Sequence, residues 1–317
     1  MLPGLRFRRH VRIESVITRA RALPPGDYRR TQVIGELATA DFKASFERAA
    51  TLIRTGDPAS MTLGAEIFDQ LFAGLREGRR FARQAEELLR EVCRPTQEPE
   101  VLCAALHPYA QLSGDASPLL YELLDHPDGR VRTTAAQLIA TSGAEFADDR
   151  QVDSLLALLE RDPDPGVRAQ AAEGLEFIVT CYAYVAQRPR ITDALANHVD
   201  DPIPGIRASA LVGVSVVDVD MTVKRLLAEL AAADVAWQFV DSFNRLPQLD
   251  LCAADLRAEA CRALRGLDAQ GWPREADPAR FPVAHERAEM LARAIVATAP
   301  RRDPGPDGRV RAGWPRR

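Results

Sequence analysis

The histidines, cysteines and short sequence motifs of this chain are the places where chemistry could be encoded, and their spacing does not favour it. The five histidines lack the spacing of metal ligands. The five cysteines never form Cys-x-x-Cys, and their odd number favours buried thiols over a disulfide framework. The sequence has no Walker loop, no His-Glu-x-x-His and no nucleophile elbow. We therefore expect no enzyme activity and no cofactor or metal.

Internal repetition indicates which elements position the other polar residues. Segments 126–132, 162–168 and 201–207 are near copies, each with a proline-containing turn that leads into Val-Arg or Ile-Arg and an alanine-rich apolar run. The arginines of successive copies are 36 and 39 residues apart, a spacing typical of two-helix repeats that stack as a solenoid. Weaker copies that lack the arginine occur at three further places: 57–65, 98–105 and 233–237.

The residue types of each copy explain where helices begin and end. A turn proline cannot donate a backbone hydrogen bond and disfavours the helical conformation of the residue before it, so the preceding helix should stop there. Asp164 and Pro165 are predicted to be the cap and the first residue of the next helix. Val131, Ala135 and Ile139 follow at i, i+4 and i+8, which places them on one apolar helix face.

These turns, with the Val-Arg start of the following helix, resemble the HEAT repeat family of armadillo-type antiparallel helix pairs. The resemblance implies an all-α, right-handed α-α superhelical solenoid of about six to seven HEAT-like helix pairs. In that family, turn aspartates and helix arginines form a hydrogen-bonded ladder between neighbouring units. The residues that match the ladder positions are Asp125, Arg132, Asp162, Arg168, Asp201 and Arg207.

The sequence divides into three parts along the chain. We predict a basic N-terminal helical cap segment at 1–40, a HEAT-like solenoid at 41–299 and a disordered basic tail at 300–317. Pro108 lies inside a predicted helix and should kink or shorten it. The predicted helix pairs are 41–55 with 59–73, 81–93 with 98–111, 116–125 with 129–142, 150–161 with 166–184, 190–200 with 205–217, 221–232 with 234–246, and 252–267 with 283–298.

Polar residues recur on one face of the second helices, which the resemblance implies to be the concave face of the solenoid. Helical periodicity places them opposite the buried stripe. They include five carboxylates and no lysine or arginine, so we expect this face to attract a basic segment of a partner protein. Because glutamate also favours helices, a purely structural interpretation stays open. The predicted partner-binding residues are Glu66, Asp69, His107, Gln137, Glu173, Glu176, Trp237 and Asp241.

Charge is distributed unevenly along the chain. The formal net charge is −4, but segment 1–30 carries +6 and segment 301–317 carries +4, which leaves −14 for 31–300. Basic ends could bind nucleic acid, although 39 of the 41 basic residues are arginines, which favours a compositional bias. No apolar run approaches the ~18 residues that span a bilayer. The start also lacks the apolar core of a signal peptide, and we predict a cytoplasmic protein.

Two function classes fit these observations. The first is a non-enzymatic scaffold or adaptor that binds a protein partner along its concave, acidic face. The alternative is a HEAT-like nucleic-acid-binding protein or DNA glycosylase, because bacterial alkylpurine DNA glycosylases use a related fold with aromatic and acidic residues in a concave cleft. Trp237 and Asp241 could supply such a pair. An acidic surface repels phosphates, so the sequence favours the scaffold.

Overall fold

Helices account for the regular structure of the part of the chain that is described. The computed structural model describes residues 13–39, 41–73, 80–113, 117–141, 148–182, 186–232, 234–272 and 284–299. These ranges contain sixteen α-helices and no strand. In chain order the α-helices are α1 (13–21), α2 (Tyr28–Gly35), α3 (Phe42–Arg54), α4 (Pro58–Phe72), α5 (Ala82–Val92), α6 (Pro99–Leu112), α7 (Ser117–Glu122), α8 (Gly129–Thr141), α9 (Asp149–Arg161), α10 (Pro165–Cys181), α11 (Arg188–Ala196), α12 (Pro204–Val214), α13 (Val219–Leu230), α14 (Trp237–Arg245), α15 (Ala254–Ala269) and α16 (Ala284–Thr298).

From α3 onward the helices alternate as the first and second members of successive pairs. Each odd-numbered helix packs against the even-numbered helix that follows it. The second helices also pack against one another in chain order, from α4 on α6 to α14 on α16. The buried apolar side chains accordingly form three core clusters that follow one another along the stack. This arrangement confirms the predicted all-α solenoid of helix pairs.

The segment predicted to cap the N-terminal end contributes helices of its own. α2 packs against α4 and so extends the row of second helices. Ile13, Ile17 and Ile34 are almost fully buried and belong to the same core cluster as Phe46. Residues 1–12 and the predicted tail at 300–317 lie outside the described residues.

Aspartate caps and proline first residues start several of the second helices. The Asp164 carboxylate accepts a hydrogen bond from the Gly166 backbone N–H at 2.7 Å, and Pro165 is the first residue of α10. This geometry confirms the predicted cap, and such a cap contributes about 1 kcal/mol. Asp57 caps α4 in the same way, through the backbone N–H of Ser60 at 3.0 Å.

Several helix ends differ from the predicted bounds. α10 ends at Cys181 because Tyr182 adopts an extended conformation. α12 ends at Val214, and the hydroxyl of the next residue, Ser215, donates a hydrogen bond to the Val212 carbonyl. α6 is not shortened by Pro108 and continues to Leu112.

α4 and α3 approach closely at a glycine. A Cβ atom on Gly64 would lie 2.8 Å from the Ala49 carbonyl oxygen and 2.8 Å from the Ile53 side chain. Both distances are shorter than van der Waals contact, so this position has room for no side chain. The absence of a Cβ is what allows the first and second helices of this pair to pack at that distance.

Candidate partner-binding surface

Three of the predicted binding residues line one pocket between α2, α4 and α6. Glu66 and Asp69 lie three residues apart on α4, and His107 lies on α6. With Thr31 and Cys103 they line a cavity of about 130 Å³. Residues at i and i+3 share a helix face, and the packing of α4 on α6 adds the histidine from the next unit.

The Glu66 carboxylate has a basic partner that the sequence did not reveal. Arg30 on α2 donates a hydrogen bond from Nε to Glu66 Oε2 at 2.7 Å. The Arg30 side chain is only 6% exposed. Burial raises the pKa of Glu66, and the Arg30 guanidinium opposes that shift. The predicted face positions contain no basic residue, but Arg30 reaches Glu66 from the preceding segment and compensates its charge.

Asp69 is the carboxylate of this pocket that forms no ion pair with the described residues. Its side chain is half-buried, and burial raises its pKa above the ordinary value while His107 opposes the shift. Its hydrogen-bond partners are weak amide donors, Gln70 Nε2 at 3.4 Å and Gln111 Nε2 at 3.5 Å. Within the described ranges, no basic side-chain nitrogen lies within 4.0 Å of this carboxylate.

Toward the other end of the row of second helices, two of the predicted binding residues belong to a buried network of charges. Glu176 on α10 is 3% exposed and forms an ion pair with Arg245 on α14, across the intervening α12. Burial raises the pKa of Glu176 to about 7, opposed by Arg245 and by a hydrogen bond with Ser209. Arg245 Nε also lies 3.1 Å from Asp241 Oδ2. Glu176 is therefore enclosed by the fold, and its predicted contact with a partner is wrong.

An exposed polar stretch lies on α8 and α10 between the pocket and this network. Gln137 and Glu173 are both exposed. Phe177, one turn after Glu173, is 36% exposed, and its ring meets the Tyr182 ring edge-on at 5.8 Å. Phe177 is not among the residues predicted from the sequence. The i, i+4 relation to Glu173 was the available signal, because it places the two side chains side by side on one helix face.

Trp237 begins α14 and is half-buried. Phe239 and Phe243 on the same helix are buried in the core. The Asp241 carboxylate lies near Arg245 and also accepts a hydrogen bond from Asn244 Nδ2 at 3.3 Å. Trp237 and Asp241 are therefore not the expected pair of an aromatic residue and a free carboxylate, because Asp241 is bonded to its neighbours on α14.

The predicted ladder is present between the third and fourth helix pairs. Arg132 donates hydrogen bonds from Nε and Nη2 to the two carboxylate oxygens of Asp162, each at 2.8 Å. Both side chains are nearly buried. A third hydrogen bond, from Arg132 Nη1 to the His126 carbonyl at 2.8 Å, joins the same arginine to its own turn. One side chain thus fixes a turn in each of two successive units.

A family model for HEAT repeats matches the chain at residues 86–176 and at residues 116–215. Residues 86–215 belong to the HEAT repeat family. The match covers the pairs from α5 to α12, which include every near copy found in the sequence. No curated protein matches the chain.

Solved structures that are similar to this chain include a bacterial and a cyanobacterial protein. The X-ray structure of Escherichia coli YibA is 18% identical, with a TM-score of 0.47, and covers 83% of this chain and 86% of YibA. The structure of the complex of CpcE and CpcF of phycocyanin lyase from Nostoc sp. PCC7120 is 16% identical. Its TM-score is 0.47, and the match covers 78% of this chain and 93% of that chain.

The ladder of these HEAT repeats differs from the prediction at other units. Asp125 is exposed and lies outside the ladder, because His126 holds the turn position and its Nδ1 accepts a hydrogen bond from the Asp128 N–H at 3.1 Å. Arg168 donates to the Asp162 carbonyl at 2.8 Å. The assignment of Asp125 is therefore wrong, because the turn uses a histidine nitrogen as its acceptor.

The last HEAT unit replaces the expected aspartate with a glutamate. Arg207 donates from Nε to Glu229 at 2.7 Å, on α13 of the next pair. The Asp201 carboxylate instead accepts from the Ile203 N–H at 2.8 Å and lies 3.1 Å from His198 Nδ1. Asp201 thus shapes its own turn, and the link to the next unit passes through Glu229.

Two further observations apply to the described part of the chain. It contains no group of three or more histidine, cysteine, aspartate or glutamate side chains placed to bind a metal ion. None of its helices combines the length and apolar character required to cross a membrane.

Proposed function

We propose that this chain is a non-enzymatic scaffold or adaptor of the cytoplasm that binds a basic segment of a partner protein on its second-helix surface. We define that surface as the outward side chains of α4, α6, α8 and α10. The observation that carries the proposal is Asp69, a half-buried carboxylate without an ion pair at the wall of a cavity. No cofactor or metal has a role in it.

A cationic side chain from a partner is the ligand that best fits the Asp69 pocket. Removing a charge from water is unfavourable unless an opposite charge and hydrogen bonds compensate it. The fold leaves Asp69 with amide contacts of 3.4 and 3.5 Å, so a guanidinium or ammonium group would supply the missing compensation. The cavity of about 130 Å³ has room for one such group.

Glu173 and Phe177 supply a second contact for the same segment. Phe177 offers an exposed ring beside an exposed carboxylate, and an arginine can stack on a ring while it pairs with a carboxylate. Three helix-to-helix steps separate α4 from α10, a distance of about 27 Å at ~9 Å per step. An extended peptide of about eight residues spans that distance. The expected ligand thus has basic residues at both ends of such a stretch.

Peptide binding tests this proposal directly. The probes are labelled nine-residue peptides with arginine, lysine or citrulline at both end positions. We expect Asp69→Asn and Glu173→Gln each to weaken binding of the arginine peptide about tenfold, which is ~1.4 kcal/mol. Glu91→Gln removes an exposed carboxylate from α5 instead, and it serves as the matched control with unchanged affinity.

Two outcomes would exclude the proposal. One is equal binding of the arginine and citrulline peptides, because the cation would then contribute nothing. The other is tight binding of duplex DNA with a steep dependence on salt and no peptide binding, which is the behaviour expected of a nucleic-acid-binding protein.

A further inference from the structure

A groove lies on the first-helix side of the HEAT repeats, between α7 and α9. Its volume is about 600 Å³, and it is lined by these helices and by the turns that precede α8 and α10. α7 has six residues before a short 3-10 turn, whereas α9 has 13 residues. Leu124 and Leu158 supply apolar lining to the groove.

The charged residues of α9 are sorted by the side they face. Its acidic side chains face α11, where Asp153 pairs with Arg190 at 2.5 Å and Glu160 lies 3.4 Å from His198. Its arginines, Arg150 and Arg161, line the groove on the α7 side. The fold thus uses the carboxylates to join neighbouring units and leaves the cations beside the groove.

Both groove arginines keep their charge available for a ligand. The Arg150 guanidinium lies 3.8 Å from the centroid of the Tyr121 ring, which holds it in place. Arg161 is exposed. No carboxylate of the described residues lies within 4.0 Å of either guanidinium. The two residues are 11 positions apart, which places them on one helix face about 16 Å apart.

The carboxylates that line the groove do not neutralise these arginines. Asp162 is bonded through both oxygens to Arg132. Asp125 is exposed and is the other acidic residue of the lining. The groove therefore has one positive charge more than its acidic residues balance, within a body of the chain that carries −14.

We propose that this groove binds an acidic segment of a partner protein, with one carboxylate at Arg150 and a second at Arg161. An apolar side chain between them would contact Leu124 and Leu158. A gap of about 16 Å corresponds to five residues of extended chain. The ligand is therefore an extended segment with acidic residues at i and i+5 and an apolar residue between them.

Charge and lining favour this occupant over others. The terminal segments 1–30 and 301–317 of the chain itself are basic, so they do not complement the arginines. A nucleic acid needs a larger set of cations along its phosphates. The apolar lining of the groove would make no favourable contact with those phosphates. The groove lies on the opposite side from the pocket of Asp69 and has the opposite charge, so the two ligands differ.

Fluorescence anisotropy with a defined peptide tests the groove. The probe is the labelled peptide Gly-Glu-Ser-Leu-Ser-Leu-Glu-Gly, and its Gln counterpart is the uncharged control. We expect Arg150→Gln and Arg161→Gln each to weaken binding about tenfold. Arg190→Gln removes the same charge from the neighbouring α11 and should change the affinity by less than about twofold. Circular dichroism verifies that each variant is folded.

Several results would overturn this assignment. They are equal binding of the Glu and Gln peptides, equal loss in all three variants, and no binding of the Glu peptide to the wild type at about 1 mM. Binding of single-stranded DNA in place of the peptide would also overturn it. The groove variants should retain the basic peptides that bind at Asp69, so failure of one surface can be told from failure of the other.

Discussion

Removal of the Asp162 carboxylate should weaken the stack more than removal of any exposed carboxylate. In Asp162→Ala, the Arg132 guanidinium loses two hydrogen bonds of 2.8 Å, and the Asp164 N–H loses its acceptor, also at 2.8 Å. The Arg132 side chain is only 11% exposed. Breaking a buried ion pair from one side costs about 3–5 kcal/mol. Arg132 keeps its bond to the His126 carbonyl, so we expect a loss near 3 kcal/mol.

The assay is equilibrium urea unfolding followed by far-UV circular dichroism. Asp125→Ala is the matched control, because the structure places Asp125 outside the ladder, and it should change the free energy of unfolding by less than about 0.5 kcal/mol. The double variant Asp162→Ala/Arg132→Leu should lose less stability than the sum of the losses of the two single variants, and we expect the difference to be about 0.5–3 kcal/mol. Equal losses for Asp162→Ala and Asp125→Ala would refute the reasoning.

The ladder also has a definite pH dependence. The hydrogen bond from Arg132 lowers the pKa of Asp162 below its ordinary value. A carboxyl group whose pKa is lower in the folded state stabilises the fold above its unfolded pKa. The stability lost in Asp162→Ala should therefore be constant near neutral pH and shrink as the pH falls below about 4.

Three other predictions concern stability. Burial raises the pKa of Asp69, so the contribution of Asp69 to the stability of the fold decreases as the pH rises above about 4. The unfolding midpoint of Asp69→Asn should therefore decrease less over this pH range than that of the wild type. Identical pH profiles for the two proteins would contradict the prediction. Gly64→Ala should destabilise by about 1–3 kcal/mol through overlap with the Ala49 carbonyl; a stabilised variant in thermal unfolding would show that the helices separate freely. Arg245→Met should destabilise by about 3–5 kcal/mol because Glu176 is left buried without its partner; adding Glu176→Gln should restore part of that loss, and no recovery would contradict the pairing.

The fold could be predicted because its rules are local. The turn motif sets where helices begin and end, and its spacing sets the number of residues in each unit, so most helix pairs were placed correctly. The arrangement of the second-helix surface was predicted only in part. Periodicity correctly brought Glu66, Asp69 and His107 to one pocket.

The charge balance of that face could not be predicted from periodicity. Arg30 lies 36 residues before Glu66, and Arg245 lies 69 residues after Glu176. Arg30 comes from α2, which precedes the predicted helix pairs, and Arg245 comes from α14, two steps along the row from α10. The residue types alone tell how many charges a face carries. Which of these charges neutralise one another depends on how separate units pack.

The same distinction ranks the carboxylates that the fold leaves without an ion pair among the described residues. Glu173 is exposed, so water solvates it and its presence requires no ligand. Asp69 is half-buried, and its raised pKa means that its ionised form is unfavourable in the folded chain. A half-buried carboxylate on the wall of a cavity, with only long amide contacts and no ion pair, is the pattern expected of a binding site, where function and stability oppose each other. Asp69 is for this reason stronger evidence for a cationic partner than any count of surface carboxylates.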